Sequence, residues 1–482
     1  MSDKVNSSYR QILKATSIFG GVQVFNIIIA LIRSKVIALL LGPVGFGISG
    51  ILTSTADFIS SLINAGISTS AVRFISLSAK DNDNQKIVES VSVVRKLVWF
   101  TGLIGLILTI ISSPGLSQMS FGNYDYTSSY IWLSLSIFFQ QLTSGRLVVL
   151  QGLQKLKYLA LANVIGSSLG LLIAVPLYFI FNVNAIAPVI VCSSLTTLGS
   201  AWFFSNKLQI NTINIPKQDL ISKGKELVTL GFFLSISSLI AIGTSYLLRI
   251  YIGKIGGLAE VGLFTAGFAI INTYVGVVFQ AMSADYYPRL SAQSENLEKS
   301  NLIINQQSEV SILILGPILC FFLVFIKWII ILFYSERFIE ISNMLYWAAL
   351  GVYFKAPAWA MAFVYLTNGK TKLFFWNELV ANIYILVINV LGYWYLGLEG
   401  LGISFLIGYL IYLFQIIFIT RTKFKVALKS SFLKIFLKQF LLGISAFCLT
   451  KFSNEFYHYI LGSIIILVAS IYSFITLKNR LK

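Results

Sequence analysis

The sequence predicts an all-α membrane protein with about fourteen transmembrane helices, and three observations indicate this fold class. Of the 482 residues, 57% are hydrophobic and 11% are charged, whereas soluble domains carry roughly 25% charged residues. The apolar residues form runs of about 20 residues, the length that an α-helix needs to cross a hydrocarbon core of roughly 30 Å. The connections between these runs are short, so they leave no room for a separate soluble domain.

The predicted spans follow one another along the whole chain, with short connections between them. The fourteen predicted spans are residues 14–41, 44–67, 92–112, 128–149, 158–181, 184–205, 227–250, 260–282, 309–332, 341–365, 373–394, 399–420, 432–450 and 457–477. The first run is followed closely by the second, with no small-residue cleavage site between them. We therefore expect it to stay in the mature protein.

The positions of lysine and arginine predict the orientation of the chain. Most of the 36 basic residues lie in connections on one side, and the longest of these are near residues 206–226 and 283–308. Because positively charged connections stay cytoplasmic, both termini are expected on the cytoplasmic side. The net charge of +18 is therefore typical of the cytoplasmic face of a membrane protein, and no nucleic-acid partner is predicted.

The chemistry-bearing residues argue against an enzyme or a metalloprotein. Cys192, Cys320 and Cys448 each lie alone in an apolar run, and His458 is the single histidine, so neither a disulfide framework nor a metal site is predicted. There is no Walker motif, so we expect no ATP-driven transport. A polysaccharide polymerase or ligase would need a long outer loop with catalytic residues, and outer connections such as 113–127 are short.

A faint internal repeat predicts how the spans are grouped. With an offset of 215 to 216 residues, Arg33 aligns with Arg249 and Gly42 aligns with Gly257. Two six-span halves in the same orientation would form parallel repeats, an arrangement that is common among secondary transporters. We therefore predict an N-terminal lobe at residues 1–206, a C-terminal lobe at 207–422 and two additional spans within 423–482.

Basic residues inside the predicted spans are candidates for substrate binding. A charged side chain at the bilayer centre costs about 2.5 to 3.5 kcal/mol, so it usually faces a wet cavity or a partner. The basic candidates are Arg33 and Lys35 in the first span, Arg249 at the end of the seventh and Lys355 in the tenth. Such a cationic set favours an anionic cargo, and arginine in particular matches phosphate oxygens with a planar fork of donors.

Two acids and one aromatic residue complete the candidate site. Asp57, in the middle of the second span, is either a counter-ion or a proton site, and Glu378 either couples transport to an ion or reaches the cytoplasmic surface. Trp359 lies one helical turn after Lys355, where it could stack on sugar rings or simply pack. No cofactor is predicted, and coupling to H⁺ or Na⁺ stays open.

Several stretches resemble the Wzx-type polysaccharide flippases of the multidrug/oligosaccharidyl-lipid/polysaccharide (MOP) exporter superfamily, especially the lipid III flippases of the enterobacterial common antigen. The resemblance covers roughly residues 10–420, and the pieces agree with the family in order and spacing. The matching pieces are residues 34–47, 64–67, 121–126, 287–291 and 351–355, then 368–370 and Glu378.

The resemblance implies a flippase of the bacterial inner membrane. Such a protein moves an undecaprenyl-diphosphate-linked oligosaccharide, for example an O-antigen repeat unit used in lipopolysaccharide biosynthesis, from the cytoplasmic to the periplasmic leaflet by alternating access. Lys35, Arg249, Lys355 and Glu378 match charged positions of the family, and Arg33 is similar to a basic residue of the lipid II flippases. Asp57 does not match the family pattern.

The resemblance also implies partners and leaves two alternatives. The expected partners are the lipid-linked oligosaccharide, membrane lipids, a polysaccharide polymerase and a chain-length regulator. Members of the family often have twelve spans, so the role of residues 432–477 is open. A drug/cation antiporter of the same superfamily is one alternative function, and a membrane polysaccharide polymerase or ligase is the other.

Overall fold

The computed structural model describes residues 23–80, 84–210, 213–450 and 455–481. These residues are almost entirely α-helical and contain no strand, which confirms the predicted fold class. Helices suit these apolar runs because each helix satisfies its own backbone hydrogen bonds, as the hydrocarbon core requires. The start of the predicted first span, residues 14–22, lies outside the described residues, as do the predicted cytoplasmic residues Lys4, Arg10 and Lys14.

The first of two compact units comprises residues 1–262. A 3₁₀ turn at Asn182–Ala185 separates its sixth and seventh helices. Its described helices are α1 (Gln23–Leu40), α2 (Gly42–Asn64), α3 (Ile67–Lys80), α4 (Asn84–Phe121), α5 (Thr127–Gly152), α6 (Leu156–Phe181), α7 (Ile186–Asn206) and α8 (Lys217–Ala269) as far as residue 262.

The second unit comprises residues 263–482 and begins within α8. A π-helical turn at Ile270–Tyr274 and a 3₁₀ turn at Glu336–Ile341 interrupt its helices. The helices α9 to α14 span Gly276–Ser291, Leu297–Phe333, Ser342–Thr367, Thr371–Phe424, Ser430–Leu449 and Glu455–Leu481. Helix α11 packs against α12, and α10 packs against α11, α13 and α14, so the two additional C-terminal spans rest on α10.

Helices α8 and α12 each form two spans. They contain 53 and 54 residues, which would measure about 80 Å as straight helices, far more than the roughly 30 Å of a bilayer core. Each breaks at one glycine with a positive φ, Gly257 at 80° and Gly397 at 57°. The chain folds back at the first break. A contact across the break shows this: a Cβ on Gly253 would lie 3.3 Å from a methyl group of Val261.

Reversals within continuous helical segments explain the number of spans. Among the described residues, eleven helical segments are long and apolar enough to cross a membrane. Three of them, Leu156–Asn206, Ser235–Ser291 and Thr371–Phe424, each cover two predicted spans. In the first, Gly166 of α6 packs against Thr197 of α7. The eleven segments therefore correspond to the fourteen predicted spans.

The compact units do not divide the chain at residue 206, because the first part of α8 packs on earlier helices. The ring of Tyr246 stacks on Phe58 of α2 with centroids 5.8 Å apart. The hydroxyl of Tyr246 is hydrogen-bonded to Ser120 of α4 at 2.9 Å. The lobes at 1–206 and 207–422 stay a prediction.

The two turns that the internal repeat aligns have the same backbone conformation. Gly42 lies between α1 and α2 with φ 64°, and Gly257 lies between the two halves of α8 with φ 80°. Side chains rarely adopt this left-handed conformation, so glycine is required at both positions for the same reason. The shared conformation supports the predicted alignment of the two turns.

These two turns also contact one another symmetrically. A Cβ on Gly47 would lie 2.0 Å from the carbonyl oxygen of Leu258, and one on Gly262 would lie 1.9 Å from that of Pro43. Pro43 and Leu258 are related by the repeat offset, as are Gly47 and Gly262. Gly47 thus contacts Leu258, and their repeat equivalents, Gly262 and Pro43, make the reciprocal contact. Such a reciprocal pair is the signature of a two-fold relation.

Candidate functional site

A polar cavity of about 800 Å³ lies within the first unit, among α1, α2, α3, α5, α6 and α7. Hydroxyl and amide side chains dominate its polar lining, and Arg33 is the one charged side chain among its described lining residues. The polar lining consists of Arg33, Tyr178, Ser49, Thr53, Ser68, Thr69, Gln140, Thr143, Ser144, Gln151, Ser193, Ser194 and Thr197.

Arg33 lines this cavity without a full set of hydrogen-bond partners. Its Nε is buried and has no hydrogen-bond partner among the described residues, and the phenol of Tyr178 is its electrostatic neighbour. An unpaired buried donor is costly, so an anion that accepted from it would form a charge-assisted hydrogen bond. Lys35 lies two residues further on, hence on another side of α1, and it is not part of the cavity lining.

The polar face of α2 continues the cavity lengthwise. Its polar residues recur every three or four positions and so share one face of the helix. They are Ser49, Thr53, Asp57, Ser60 and Asn64. Ser60 and Asn64 line a smaller cavity of about 370 Å³, which shares Ser68, Thr69, Gln140 and Ser144 with the larger one. The two cavities therefore form one polar tract.

Asp57 and Arg249 are placed where their charges interact. The carboxylate of Asp57, exposed on the polar face of α2, attracts the guanidinium of Arg249, which is half-buried on α8. Nη1 of Arg249 also donates to Ser245, at 3.1 Å to its carbonyl and 2.5 Å to its hydroxyl. The arrangement supports the counter-ion alternative for Asp57.

In the second unit, Lys355 lies on α11 and is held by neutral groups. Its Nζ donates to the side-chain oxygen of Asn272 at 3.2 Å. It also lies over the rings of Phe279, Phe405 and Tyr409, at 5.8, 5.7 and 5.2 Å from their centroids. No carboxylate of the described residues pairs with it. Lys355 therefore lies in an enclosure of aromatic rings and one neutral amide.

The residues that enclose Lys355 were not predicted from the sequence. Asn272 is brought there by the π-helical turn, and such turns occur frequently at functional sites. Phe405 and Tyr409 lie four residues apart on α12, a spacing that places them on one face but also occurs in ordinary packing. The helical spacing of the two rings is the single signal that could have indicated them.

Trp359 packs within an aromatic cluster of the second unit. Its ring lies 5.3 Å from Phe279, 5.7 Å from Tyr286 and 5.4 Å from Phe363, measured between centroids. Phe279 also contacts Lys355, so this cluster supports one wall of the lysine enclosure. Stacking of Trp359 on a sugar stays a prediction. Among the three rings around the charge of Lys355, that of Tyr409 has the shortest distance, 5.2 Å.

Glu378 takes part in a polar network between α11 and α12. It accepts hydrogen bonds from Tyr412 at 2.5 Å and from the side-chain amide of Asn377 at 3.2 Å. Gln415 and Tyr365 in turn donate to Asn377, at 2.8 and 3.4 Å. Glu378 is thus held by side chains of its own unit, which disfavours the alternative that it simply reaches the cytoplasmic surface.

Comparisons with known proteins agree with this architecture. A family model described as "Polysaccharide biosynthesis protein" matches residues 36–343, which is more than half of the chain. No curated protein matches. The lipid II flippase MurJ, in an inward closed conformation, has a TM-score of 0.75 at 14% identity, over 98% of this chain and 100% of its own.

Two further solved structures share the fold. A multidrug resistance MATE family transporter of the MOP superfamily, in an inward-facing conformation, has a TM-score of 0.67 at 16% identity, covering 90% of this chain and 96% of its own. A MOP superfamily transporter from Pyrococcus furiosus has a TM-score of 0.60 at 14% identity, covering 91% and 97%. These similarities confirm the predicted MOP-type fold. The chain belongs to the family of polysaccharide biosynthesis proteins.

Proposed function

We propose that the protein is a flippase that moves an undecaprenyl-diphosphate-linked oligosaccharide from the cytoplasmic to the periplasmic leaflet by alternating access. The observation that carries the proposal is Arg33, which lines a cavity of hydroxyl and amide side chains and has a buried nitrogen with no hydrogen-bond partner among the described residues. An arginine suits a diphosphate, and hydroxyl and amide groups suit the many hydroxyls of a glycan.

The size of the cavity suits the polar headgroup of the substrate, while the polyprenyl tail is expected to stay in the bilayer. Ligand pockets typically measure about 300 to 1,000 Å³, and this cavity measures about 800 Å³. A polyprenyl tail gains about 0.8 kcal/mol for each CH₂ group in hydrocarbon, so it has no reason to leave the bilayer. The protein therefore needs to shelter only the diphosphate and the sugars.

Lys355 is the second cationic position of the proposed path. Its ammonium group is held by Asn272 and aromatic rings instead of a carboxylate, so it can attract an anion without first breaking an ion pair. Asp57 and Glu378 are the candidates for coupling to H⁺ or Na⁺, through the Arg249 pair and the Tyr412 network respectively. Lys35 and Trp359 stay proposed contacts of the substrate.

The proposal also covers location and partners. The protein would lie in the bacterial inner membrane with both termini in the cytoplasm, because the basic connections favour that side. The repeat unit would then pass to a polysaccharide polymerase and a chain-length regulator in the periplasm. An O-antigen unit is the proposed cargo because the resemblance to Wzx-type flippases points to it.

The decisive experiment deletes the gene and follows lipid-linked repeat units and surface polysaccharide together. We expect repeat units to accumulate on the cytoplasmic side and surface polymer to be lost. Wild-type protein should restore both, Arg33→Gln should not, and Arg73→Gln, which removes an exposed charge elsewhere, should restore both. Repeat units that reached the periplasm without polymerising would instead favour the polymerase or ligase alternative.

A drug/cation antiporter is the second candidate function, because MATE transporters share the fold. Its site should be acidic in order to attract cations, whereas the cavity of the first unit carries Arg33 as its one described charged side chain. Uptake of a cationic dye by proteoliposomes distinguishes the two functions. Dye transport that depended on Asp57 but not on Arg33 would overturn the flippase proposal.

A further inference from the structure

A groove separate from the cavity around Arg33 lies on α4, α5 and α7 of the first unit. It has a volume of about 820 Å³ and shares no lining residue with that cavity. Arg95, Lys96 and Arg146 form one end, and the remaining lining is mostly apolar. We call it the α4–α7 groove.

The basic end of the α4–α7 groove has more positive charge than its described partners compensate. Nε of Arg95 is buried without a hydrogen-bond partner, and its Nη1 donates only a long bond of 3.4 Å to the carbonyl of Ile210. Arg146 donates to the neutral side chain of Asn206 at 3.1 Å. The two guanidinium groups lie close enough to repel one another. An anion bound between them would relieve that repulsion.

Lys96 is the third basic residue of this end, and it binds the segment that precedes α8. Its Nζ donates to the side chain of Asn214 at 2.7 Å and to the carbonyl of Ile215 at 3.2 Å. These bonds hold the segment before α8 beside the groove. None of the described residues that line the groove is acidic, so its positive end is open to a ligand of opposite charge.

All three helices of the groove change from basic or interfacial to apolar residues in the same direction. Along α4, Arg95 is followed at intervals of four residues by Trp99 and Leu103, which lie on the same face. The two ends of this row are about 12 Å apart along the helix. On α7 the corresponding order is Trp202 and then Leu195. On α5, Arg146 is followed in the same direction by Leu142.

This order matches the profile of a membrane lipid. Trp99 and Trp202 are 53% and 52% exposed, and exposed tryptophan marks the headgroup level of a bilayer. Phe100 and Leu195, 63% and 50% exposed, present apolar surface that would face acyl chains. A soluble anion would need the basic end alone and would leave the apolar surface without a partner.

We propose that the α4–α7 groove binds an anionic membrane phospholipid. Its phosphate lies between Arg95 and Arg146, and one acyl chain runs over Leu103 toward Leu195. The proposal does not depend on the proposed flippase function, because it concerns a different part of the first unit.

Native mass spectrometry of the full-length protein in detergent tests this proposal with phosphatidylglycerol and phosphatidylcholine of identical acyl chains. We expect phosphatidylglycerol to bind at least about tenfold more tightly, and the double variant Arg95→Gln/Arg146→Gln to abolish that preference. Arg73→Gln/Lys157→Gln removes two exposed basic charges outside the groove and should keep the preference. Equal loss in both double variants would indicate a diffuse positive surface and overturn the proposal.

A second variant keeps every charge and tests the chain half of the groove. Gly199 lines the groove on α7, and a Cβ there would meet no atom within 4 Å, so Gly199→Trp starts from open space and places a bulky ring in the groove. We expect it to weaken phosphatidylglycerol binding several-fold. Gly115→Trp, at an equally open position outside the groove, is the matched control and should bind as wild type does. Unchanged binding by Gly199→Trp would contradict the proposed path of the chain.

Competition identifies the source of the anion. Glycerol phosphate should not displace phosphatidylglycerol, because it lacks the acyl chains. Displacement at equal concentration would reveal a site for soluble anions. Preferential displacement by a polyprenyl phosphate would assign the groove to the transported lipid. Either result would overturn the phospholipid as occupant.

Discussion

Arg33 and Arg249 occupy aligned positions of the internal repeat, yet their surroundings differ. Arg33 has a buried nitrogen with no partner among the described residues and faces a polar cavity. Arg249 has Asp57 as an electrostatic partner and donates two hydrogen bonds to Ser245. The turns after them are alike, with a glycine of positive φ in each. The repeat therefore preserves the backbone conformation of the turn, while the surroundings of the two arginines differ.

This difference indicates which of the two arginines is better suited to bind an anionic ligand. A guanidinium that the protein already compensates has little left to offer a ligand, whereas one with an unpaired donor gains most when an anion binds. We therefore assign substrate binding to Arg33 first and a structural or coupling role to the pair of Arg249 and Asp57. Lys355 lies between these cases, since neutral and aromatic groups hold it.

The largest effect is expected where the two aligned turns meet. Gly47→Val places a side chain about 2.0 Å from the carbonyl oxygen of Leu258, so the backbone must move. Overpacking of this kind costs about 1 to 3 kcal/mol, and a valine beside a fixed backbone belongs at the upper end. Thermal unfolding in detergent should show a clearly lower midpoint. Gly199→Val, in open space, should unfold as wild type does, and equal midpoints would refute the contact.

Next in size is the removal of the charge from the cavity. Charge-assisted hydrogen bonds contribute about 1.5 to 3 kcal/mol, so Arg33→Gln should slow flipping of a lipid-linked oligosaccharide roughly 10- to 100-fold. Flipping into proteoliposomes, followed by protection from an added glycosidase, measures this rate. Arg33→Lys keeps the charge without the fork and should fall in between. If a correctly inserted Arg33→Gln protein flipped the substrate at the wild-type rate, Arg33 would not be the substrate-binding arginine, and its proposed difference from Arg249 would be wrong.

A double-mutant cycle tests the pair of Asp57 and Arg249. Asp57→Asn and Arg249→Gln each leave one charge without its partner, whereas the double variant removes both charges. We expect the double variant to lose less stability than the two single losses combined, with a coupling of about 1 kcal/mol. Thermal unfolding provides the three differences. Strict additivity would mean that the two charges do not interact.

The single variant Asp57→Asn also tests whether transport is coupled to an ion. If Asp57 is only a counter-ion, Asp57→Asn should flip more slowly but keep its full response to a proton or sodium gradient. Glu378→Gln in the second unit is the matched comparison, because it removes the other candidate for coupling. A lost gradient response in one variant alone identifies the coupling site.

The smallest effect is expected at the enclosure of Lys355. Cation–π contacts contribute about 0.5 to 1 kcal/mol at accessible sites, so Tyr409→Leu should slow flipping only about two- to fivefold. Tyr409→Phe keeps the ring and should retain nearly the wild-type rate. Flipping into proteoliposomes measures both variants. A loss equal to that of Arg33→Gln would place Lys355 beside Arg33 as a primary substrate contact.

Much of the fold could be predicted from the sequence because the bilayer constrains each segment locally. A run of about 20 apolar residues must be helical in hydrocarbon whatever its neighbours are. The all-α class and the turns at Gly42 and Gly257 followed from such local signals. The eleven continuous segments differ from fourteen spans only because three segments reverse direction. Helices α8 and α12 reverse at a glycine, and the segment of α6 and α7 reverses at the 3₁₀ turn Asn182–Ala185.

The candidate site was only partly accessible to sequence reasoning. Membrane depth indicated Arg33, Lys355 and Asp57, because the cost of a buried charge depends mainly on position along the span. It could not tell that Lys35 lies off the cavity lining or that Trp359 packs among three rings. Those facts depend on which face of each helix meets another helix.

The sequence by itself determined the helical membrane fold, the family and the positions of the costly charges, since hydrophobicity, charge and glycine conformation act residue by residue. Tertiary structure alone decided which charge stays unpaired. Arg33 and Arg249 have the same side chain at aligned positions, and only the packing of distant helices gives Asp57 to one and a polar cavity to the other. Electrostatic energy depends on distance in space, and that distance is set by contacts between residues far apart in the chain.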